Sequence, residues 1–160
     1  MTAAADLVAA LRARDWTIGV AESLTGGAVA AEIVTVPGAS TALRGAVVAY
    51  DTAIKHTLLG VDADLLAAHG PVHPRVAAQM ADGVRRALAV DGHPTDVGVS
   101  TTGIAGPDSP DGQPVGTVHI GVSAPGGTTT RAHRFTGSRE QIRAQARDAA
   151  IAAALQAARE

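Results

Sequence analysis

The sequence predicts a single three-layer α/β/α domain, residues 1–160, in which helices cover both faces of a mixed, mostly parallel sheet. From residue 2 to residue 102, helix-like segments alternate with short apolar segments typical of buried strands, an order that favours parallel pairing. A more polar hairpin over residues 115–135 follows and would add antiparallel strands to the same sheet. With 160 residues, the chain is long enough to form one domain with its own core.

The first elements follow from hydrophobic periodicity. Apolar residues recur at helical spacing over residues 2–14, and the apolar run 16–21 is typical of a buried strand. Small residues over 28–36 predict a second helix, which a Pro-Gly pair ends. A strand therefore turns directly into a helix through residues 22–27.

The segment 45–50 is apolar at every position, which predicts a central strand in a covered sheet. Asp51 or Thr52 can cap the short helix expected over 53–59. Two further helices are predicted over residues 62–69 and 74–90.

The strand over residues 96–102 leads into a loop rich in Gly and Pro, residues 103–114. Loops of this length in compact domains tend to carry function or to be disordered. The remaining predicted elements are a strand over 115–123, an edge strand over 128–135 and a final helix over 139–158 that begins after Ser138.

Composition excludes several classes of function. The net charge is −2 with no basic stripe, which argues against nucleic acid as a partner. The chain has no cysteine, which excludes disulfides and thiolate chemistry. No signal-like segment and no run long enough to span a bilayer occur, so we expect a cytoplasmic protein without membrane contact. The scattered histidines predict no metal site.

The turn over residues 22–27, Glu-Ser-Leu-Thr-Gly-Gly, allows two interpretations. Ser23 or Thr25 can cap the following helix. Alternatively, Ser23 faces a substrate while Gly26 and Gly27 allow a tight turn and place amides of the first helical turn near a negative charge.

Twelve of the 13 basic residues are arginine, and Lys55 is the only lysine. This single lysine can be chance. It can also mark a position that needs an amine, because a buried lysine can lose its proton whereas arginine cannot. Tyr50, the only tyrosine, stands close before it.

Ser23, Tyr50 and Thr102 all fall at the carboxyl ends of predicted strands. Parallel strands bring these ends to one edge of a sheet, where ligands bind in α/β proteins. A lysine near such a serine can act as its base, and the pair can perform acyl transfer. We therefore expect the Lys55 nitrogen to lie within hydrogen-bond reach of the Ser23 hydroxyl, and Thr25 to cap the helix.

Five segments carry a resemblance to a known family: Ala21–Gly27, Val48–Tyr50, Lys55–Val61, Thr102–Asp108 and Pro114–Val118. Together they resemble the CinA C-terminal domain family, which includes stand-alone nicotinamide-nucleotide amidohydrolases. Leu24 and His73 stand where many members have Cys and Ser. No segment of the sequence resembles a nucleotide-pyrophosphatase domain, so we expect the stand-alone form.

The resemblance implies deamidation of nicotinamide mononucleotide to nicotinic acid mononucleotide and ammonia, with no metal or organic cofactor. It implies Ser23 as nucleophile, Lys55 as base, and Tyr50 as an assisting group. A non-catalytic nucleotide-binding or regulatory domain and a different amidase remain alternatives, and the polar edge strand and small-residue last helix would suit a homodimer. Further implied substrate-binding residues are Thr25, Gly26, Gly27, Thr102, Gly103, Gly106 and, for the phosphate, Arg143.

Overall fold

The computed structural model describes all residues, 1–160. The helices are α1 (Ala3–Ala13), α2 (Ala28–Val34), α3 (Thr52–Thr57), α4 (Ala63–His69), α5 (Pro74–Ala87) and α6 (Arg139–Arg159), with a 3₁₀ turn at Ala39–Thr41. The strands are β1 (Ile18–Glu22), β2 (Leu43–Val48), β3 (Val97–Gly103), β4 (Thr117–Ala124) and β5 (Gly127–Arg134).

The five strands form one mixed sheet in the order β2-β1-β3-β4-β5. Strand β1 pairs in parallel with both β2 and β3, whereas β4 runs antiparallel between β3 and β5. The predicted α/β fold with a mixed sheet is therefore confirmed. The predicted central place of the second strand is wrong, because β2 has β1 as its only neighbour and forms an edge of the sheet.

Helices cover the two faces of the sheet. One face carries α1, α2 and α6 over the larger apolar cluster, and the other carries α3, α4 and α5 over a smaller one. These cores are built almost entirely from Ala, Val, Leu and Ile, in a chain in which only 2% of the residues are aromatic. None of the helices has the length and hydropathy that a membrane crossing requires.

Helix α5 packs unusually close to the middle of the sheet. A Cβ at Gly98 would lie 2.1 Å from the Ala81 carbonyl oxygen, and a Cβ at Gly121 would lie 2.3 Å from that of Ala77. Both glycines therefore allow backbone to approach backbone. The Ser100 hydroxyl between them donates to the same Ala77 oxygen at 2.6 Å, which fixes α5 against β3.

The two ends of β1 are tied to neighbouring elements in different ways. At the amino end, Asp96 Oδ2 accepts hydrogen bonds from the Thr17 amide (2.7 Å) and hydroxyl (3.0 Å). At the carboxyl end, the Glu22 carbonyl accepts from the Ala49 amide at 2.8 Å. Because β1, β2 and β3 are parallel, their carboxyl ends lie side by side where the chain leaves each strand. This side of the sheet is called the carboxyl edge.

Candidate active site

A serine and a lysine lie in hydrogen-bond contact at this carboxyl edge. The Lys55 Nζ lies 3.0 Å from the Ser23 Oγ, as the sequence predicted. It also lies 2.6 Å from the Ala49 carbonyl oxygen. Lys55 is only 1% exposed and Ser23 8% exposed, so the contact is almost completely removed from water.

Local structure explains how the lysine reaches the serine. Asp51 caps α3 by accepting a hydrogen bond from the Ala53 amide at 2.8 Å, so the helix begins directly after β2. Lys55, on the following turn, is the one buried residue of α3. The short connection after β2 thus aims the side chain back at the end of β1.

Burial lowers the pKa of Lys55 to about 8, and the nearby Asp51 carboxylate raises the pKa by a smaller amount. The direction follows from desolvation, which disfavours the charged ammonium. With this pKa, about a tenth of the amines are neutral at pH 7, against a few in ten thousand for an ordinary lysine. A neutral amine can accept a proton from a serine hydroxyl.

The turn after Ser23 is held differently from the expected cap. The Thr25 hydroxyl contacts the Thr101 hydroxyl at 2.8 Å and bonds no helical amide. Gly27, at φ +104°, stands at the N-cap position of α2, and the Glu22 side chain accepts from the amides of the first helical turn. The prediction that Thr25 caps α2 is therefore wrong, and the expected exposed amides of that turn are occupied.

A cavity of about 580 Å³ opens above the Ser23–Lys55 pair. This volume is in the range of small-molecule sites. Its lining residues include the predicted Ser23, Lys55, Tyr50, Thr102, Gly103 and Gly106, together with Leu24, Thr52, Asp108, Asp111 and Arg139. The predicted Thr25, Gly26, Gly27 and Arg143 are not among them.

Two of the lining residues differ in how they are held. The buried Thr102 hydroxyl donates to the Pro71 carbonyl at 2.7 Å and thereby joins β3 to the segment before α5. Tyr50, in contrast, is 62% exposed, and its hydroxyl accepts from Arg139 Nη2 at 3.2 Å. Thr102 thus has its hydrogen committed to the protein, whereas the Tyr50 hydroxyl remains open to a ligand.

Arg139 is the cationic residue of the cavity that sequence reasoning missed. Its Nη1 donates to the Gly106 carbonyl at 2.7 Å, which leaves the guanidinium at the wall beside Tyr50. Arg143, one helical turn later, donates to the carbonyls of Leu24 (2.9 Å) and Thr25 (3.1 Å) instead. One feature of the sequence could have pointed to Arg139: it stands at the first position of α6, where the helix dipole disfavours a cation.

The loop after β3 forms the opposite wall. A Cβ at Gly103 would meet the Thr117 carbonyl oxygen at 2.6 Å, and Gly106 has φ +80° with Val115 close by. Gln113 donates to the Val72 carbonyl at 2.9 Å and connects the loop to the segment before α5. These contacts explain why the loop needs glycine at both predicted positions.

Two histidines meet next to this loop. His69 and His73 have ring centroids 4.5 Å apart despite the Gly-Pro pair between them. No group of three or more His, Cys, Asp or Glu side chains stands close enough to hold a metal ion.

The fold and site define a class: an α/β protein with a buried serine–lysine pair that faces a small-molecule-sized cavity. The CinA C-terminal domain model matches residues 1–158. This chain belongs to the CinA C-terminal domain family.

Curated relatives agree with the family. A CinA-like protein of Frankia casuarinae is 50% identical over 133 residues, which is 83% of this chain and 30% of the relative. A putative competence-damage inducible protein of Desulforamulus reducens is 47% identical over 135 residues, 84% of this chain and 32% of the relative. The chain thus spans about a third of the length of these relatives.

Solved structures agree as well. A CinA superfamily protein of Klebsiella pneumoniae 700603 is 31% identical with a TM-score of 0.91, covering 98% of this chain and 96% of that one. A CinA superfamily protein of Escherichia coli is 30% identical with a TM-score of 0.89, covering 96% and 87%. The names of these four proteins refer to CinA or to competence and damage, and name no reaction.

Proposed function

We propose that this domain is an amidohydrolase that deamidates nicotinamide mononucleotide with Ser23 as nucleophile and Lys55 as base. One observation carries the proposal: the 3.0 Å contact between Lys55 Nζ and Ser23 Oγ in an almost water-free position. A serine hydroxyl needs a neighbouring base to become a good nucleophile, and a desolvated lysine can be that base.

The Ala49 carbonyl supports this role for Lys55. A neutral amine has two N–H groups and one lone pair. Because one N–H group donates to the Ala49 oxygen at 2.6 Å, the orientation of the amine is restricted and the lone pair can point at the Ser23 hydroxyl. After Lys55 has taken the proton, the same contact keeps the ammonium oriented so that it can donate that proton to the leaving nitrogen.

The reaction proceeds through an acyl-enzyme. Lys55 takes the Ser23 proton as Oγ attacks the carboxamide carbon. The C–N bond then breaks, and the departing nitrogen takes the proton from Lys55 and leaves as ammonia. Water, deprotonated by Lys55, attacks the ester, and Ser23 recovers its proton as nicotinic acid mononucleotide is released.

Backbone amides at the cavity are the candidates for holding the oxyanion. The amides of Leu24, Ala105 and Gly106 donate to no group of the chain, and all three residues line the cavity. The Gly26 amide is committed to the Ser23 carbonyl at 3.1 Å. We therefore assign the oxyanion to the Leu24 amide and the loop after β3, not to Gly26 and Gly27.

The nucleotide as substrate is inferred from the family resemblance, and the cavity wall supports it. Arg139 presents N–H donors beside the exposed Tyr50 hydroxyl, a combination suited to a phosphate. We assign the phosphate to these two residues. Arg143 instead braces the turn that carries Ser23 through the carbonyls of Leu24 and Thr25.

Ammonia release from nicotinamide mononucleotide by the purified protein tests the proposal. We expect release by the wild type and a loss of at least about 10³-fold in the Ser23→Ala variant, because Ser23 carries the hydroxyl that contacts the Lys55 amine. Free nicotinamide, which lacks the ribose and its phosphate, serves as the control substrate. Calorimetric binding without release would favour the non-catalytic nucleotide-binding alternative, and release from another carboxamide alone would favour a different amidase.

A further inference from the structure

A buried carboxylate next to the nucleophile has no part in the proposed chemistry. Glu22 is the last residue of β1, directly before Ser23, and it is 0% exposed. Its Oε1 accepts from the Val29 amide at 2.9 Å and its Oε2 from the Ala30 amide at 3.0 Å. No lysine, arginine or histidine pairs with it.

The side chain of Glu22 therefore links the end of β1 to the first turn of α2. A carboxylate at this end of a helix satisfies amides that have no partner within the helix and is favoured by the helix dipole. The residues between the two anchors form the turn that carries Ser23, closed by hydrogen bonds from Gly26 to the Ser23 carbonyl (3.1 Å) and from Ala28 to the Thr25 carbonyl (3.0 Å).

The main chain of Glu22 reaches the base as well. Its carbonyl accepts the Ala49 amide at 2.8 Å, and the carbonyl of Ala49 accepts Lys55 Nζ at 2.6 Å. Ser23 is bonded covalently to Glu22, and Lys55 is connected to it through Ala49. A shift of Glu22 would therefore change the distance between nucleophile and base.

We propose that Glu22 is a positioning residue that sets the Ser23–Lys55 contact by tying the end of β1 to the start of α2. This inference deepens the proposed function and rests on it for its kinetic consequence. The geometric consequence, a change in the surroundings of Lys55, holds whatever the substrate is.

The chain offers a matched control at the other end of β1. Asp96 also accepts two hydrogen bonds, from the Thr17 amide and hydroxyl, and it lies at the amino ends of the parallel strands, opposite the carboxyl edge. Glu22→Gln and Asp96→Asn each replace a carboxylate by an amide of the same shape, whose NH₂ group cannot accept a hydrogen bond. Oε1 and Oε2 of Glu22 each accept one bond, so Glu22→Gln loses one of them, whereas both bonds at Asp96 end on Oδ2 and the asparagine oxygen can keep them. Asp96→Asn is therefore the control for replacing a carboxylate by an amide at the end of β1 that is far from the site.

The kinetic arm compares these two variants with the wild type. We expect Glu22→Gln to lower kcat about 10- to 100-fold with KM within about twofold, because small displacements of reacting groups cost rate rather than binding. Asp96→Asn should leave kcat within about twofold. An unchanged kcat in Glu22→Gln, or an equal fall in both variants, overturns the proposal.

The second arm needs no turnover. Because Lys55 is the only lysine, lysine labelled with ¹³C at Cε gives a single NMR signal whose pH titration reports this amine alone. Glu22→Asp keeps the charge but cannot span both amides, so we expect the Lys55 midpoint to move to higher pH as water reaches the loosened pair. Asp96→Asn should keep the wild-type midpoint, and an unmoved midpoint in Glu22→Asp overturns the proposal.

The two arms separate the possible failures. If the wild type releases no ammonia, the proposed function is wrong. The NMR titration alone then tests whether Glu22 positions the Ser23–Lys55 pair. If the Glu22→Gln variant does not fold, Glu22→Asp replaces it in the kinetic arm. The same fall in kcat is expected for Glu22→Asp, and an unchanged kcat overturns the proposal.

Discussion

The two halves of the cavity are built in opposite ways. The half that carries the chemistry is buried: Lys55 and Ser23 contact each other at 3.0 Å. Lys55 also donates to the Ala49 carbonyl, and the Ser23 amide donates to the Thr101 hydroxyl. The half proposed to bind the phosphate is open: Tyr50 is largely exposed, and Arg139 is held by Tyr50 and by the carbonyl of Gly106.

This difference has a physical reason. A lysine that acts as a base at neutral pH needs burial to lower its pKa, so it must lie deep and have few alternative positions. A group that binds a phosphate needs its charge at every pH and access from solvent, which arginine at an open wall provides. Substitutions in the buried half should therefore change kcat, and those in the open half should change KM.

The largest effect is expected from Lys55→Arg. Arginine keeps the positive charge but cannot give up its proton, so we expect ammonia release to fall by at least about 10³-fold while nucleotide binding is largely retained. Parallel measurement of turnover and calorimetric binding checks this. Near-normal turnover would show that another group is the base.

Lys55→Met is the matched variant for stability, because it fills a similar space without a charge. The pKa of Lys55 is lower in the folded than in the unfolded chain, so the unfolded chain binds more protons between pH 8 and pH 10.5. The free energy of unfolding of the wild type should rise relative to this variant by about 3 kcal/mol across that window. A difference independent of pH would contradict the burial of the amine.

A smaller effect is expected from Arg139→Ala, for which Arg143→Ala on the same helix is the control. We expect Arg139→Ala to raise KM for nicotinamide mononucleotide about tenfold, since it removes a charged donor from the open wall. Arg143→Ala should instead lower the free energy of unfolding by about 2 kcal/mol through the loss of its two carbonyl contacts. A larger rise in KM for Arg143→Ala would reverse the assignment.

The smallest effect is expected from Asp51→Asn on the pH profile. The kcat/KM of the wild type should rise with pH through a midpoint near 8, because the base must be neutral. The Asp51 carboxylate raises the Lys55 pKa, so its removal should move this midpoint to lower pH, while asparagine still caps α3. Asp62→Asn, the same change at the cap of α4, should leave the profile unmoved.

The Ser23–Lys55 pair could be predicted from the sequence because two observations agreed: Lys55 is the only lysine, and Ser23 stands at the carboxyl end of a predicted strand. A lone lysine and the ends of three predicted strands could be counted without coordinates, and the mixed α/β sheet followed from the order of elements. Sequence reasoning failed for β2 because an apolar strand at the edge, paired only with β1, has the same composition as a central one. It failed for Thr25 because a carboxylate from the preceding strand competes for the same helical amides.

The sequence by itself determined the fold class, the family and the pair of residues suited to acyl transfer, since periodicity, residue type and motif are local properties. Only the tertiary structure decided which arginine faces the cavity, because Arg139 and Arg143 stand one turn apart on one helix and differ in what packs against them. It also decided the burial that lowers the pKa of Lys55, and the place of Glu22 between nucleophile and base. Burial and hydrogen-bond partners depend on segments far apart in the chain.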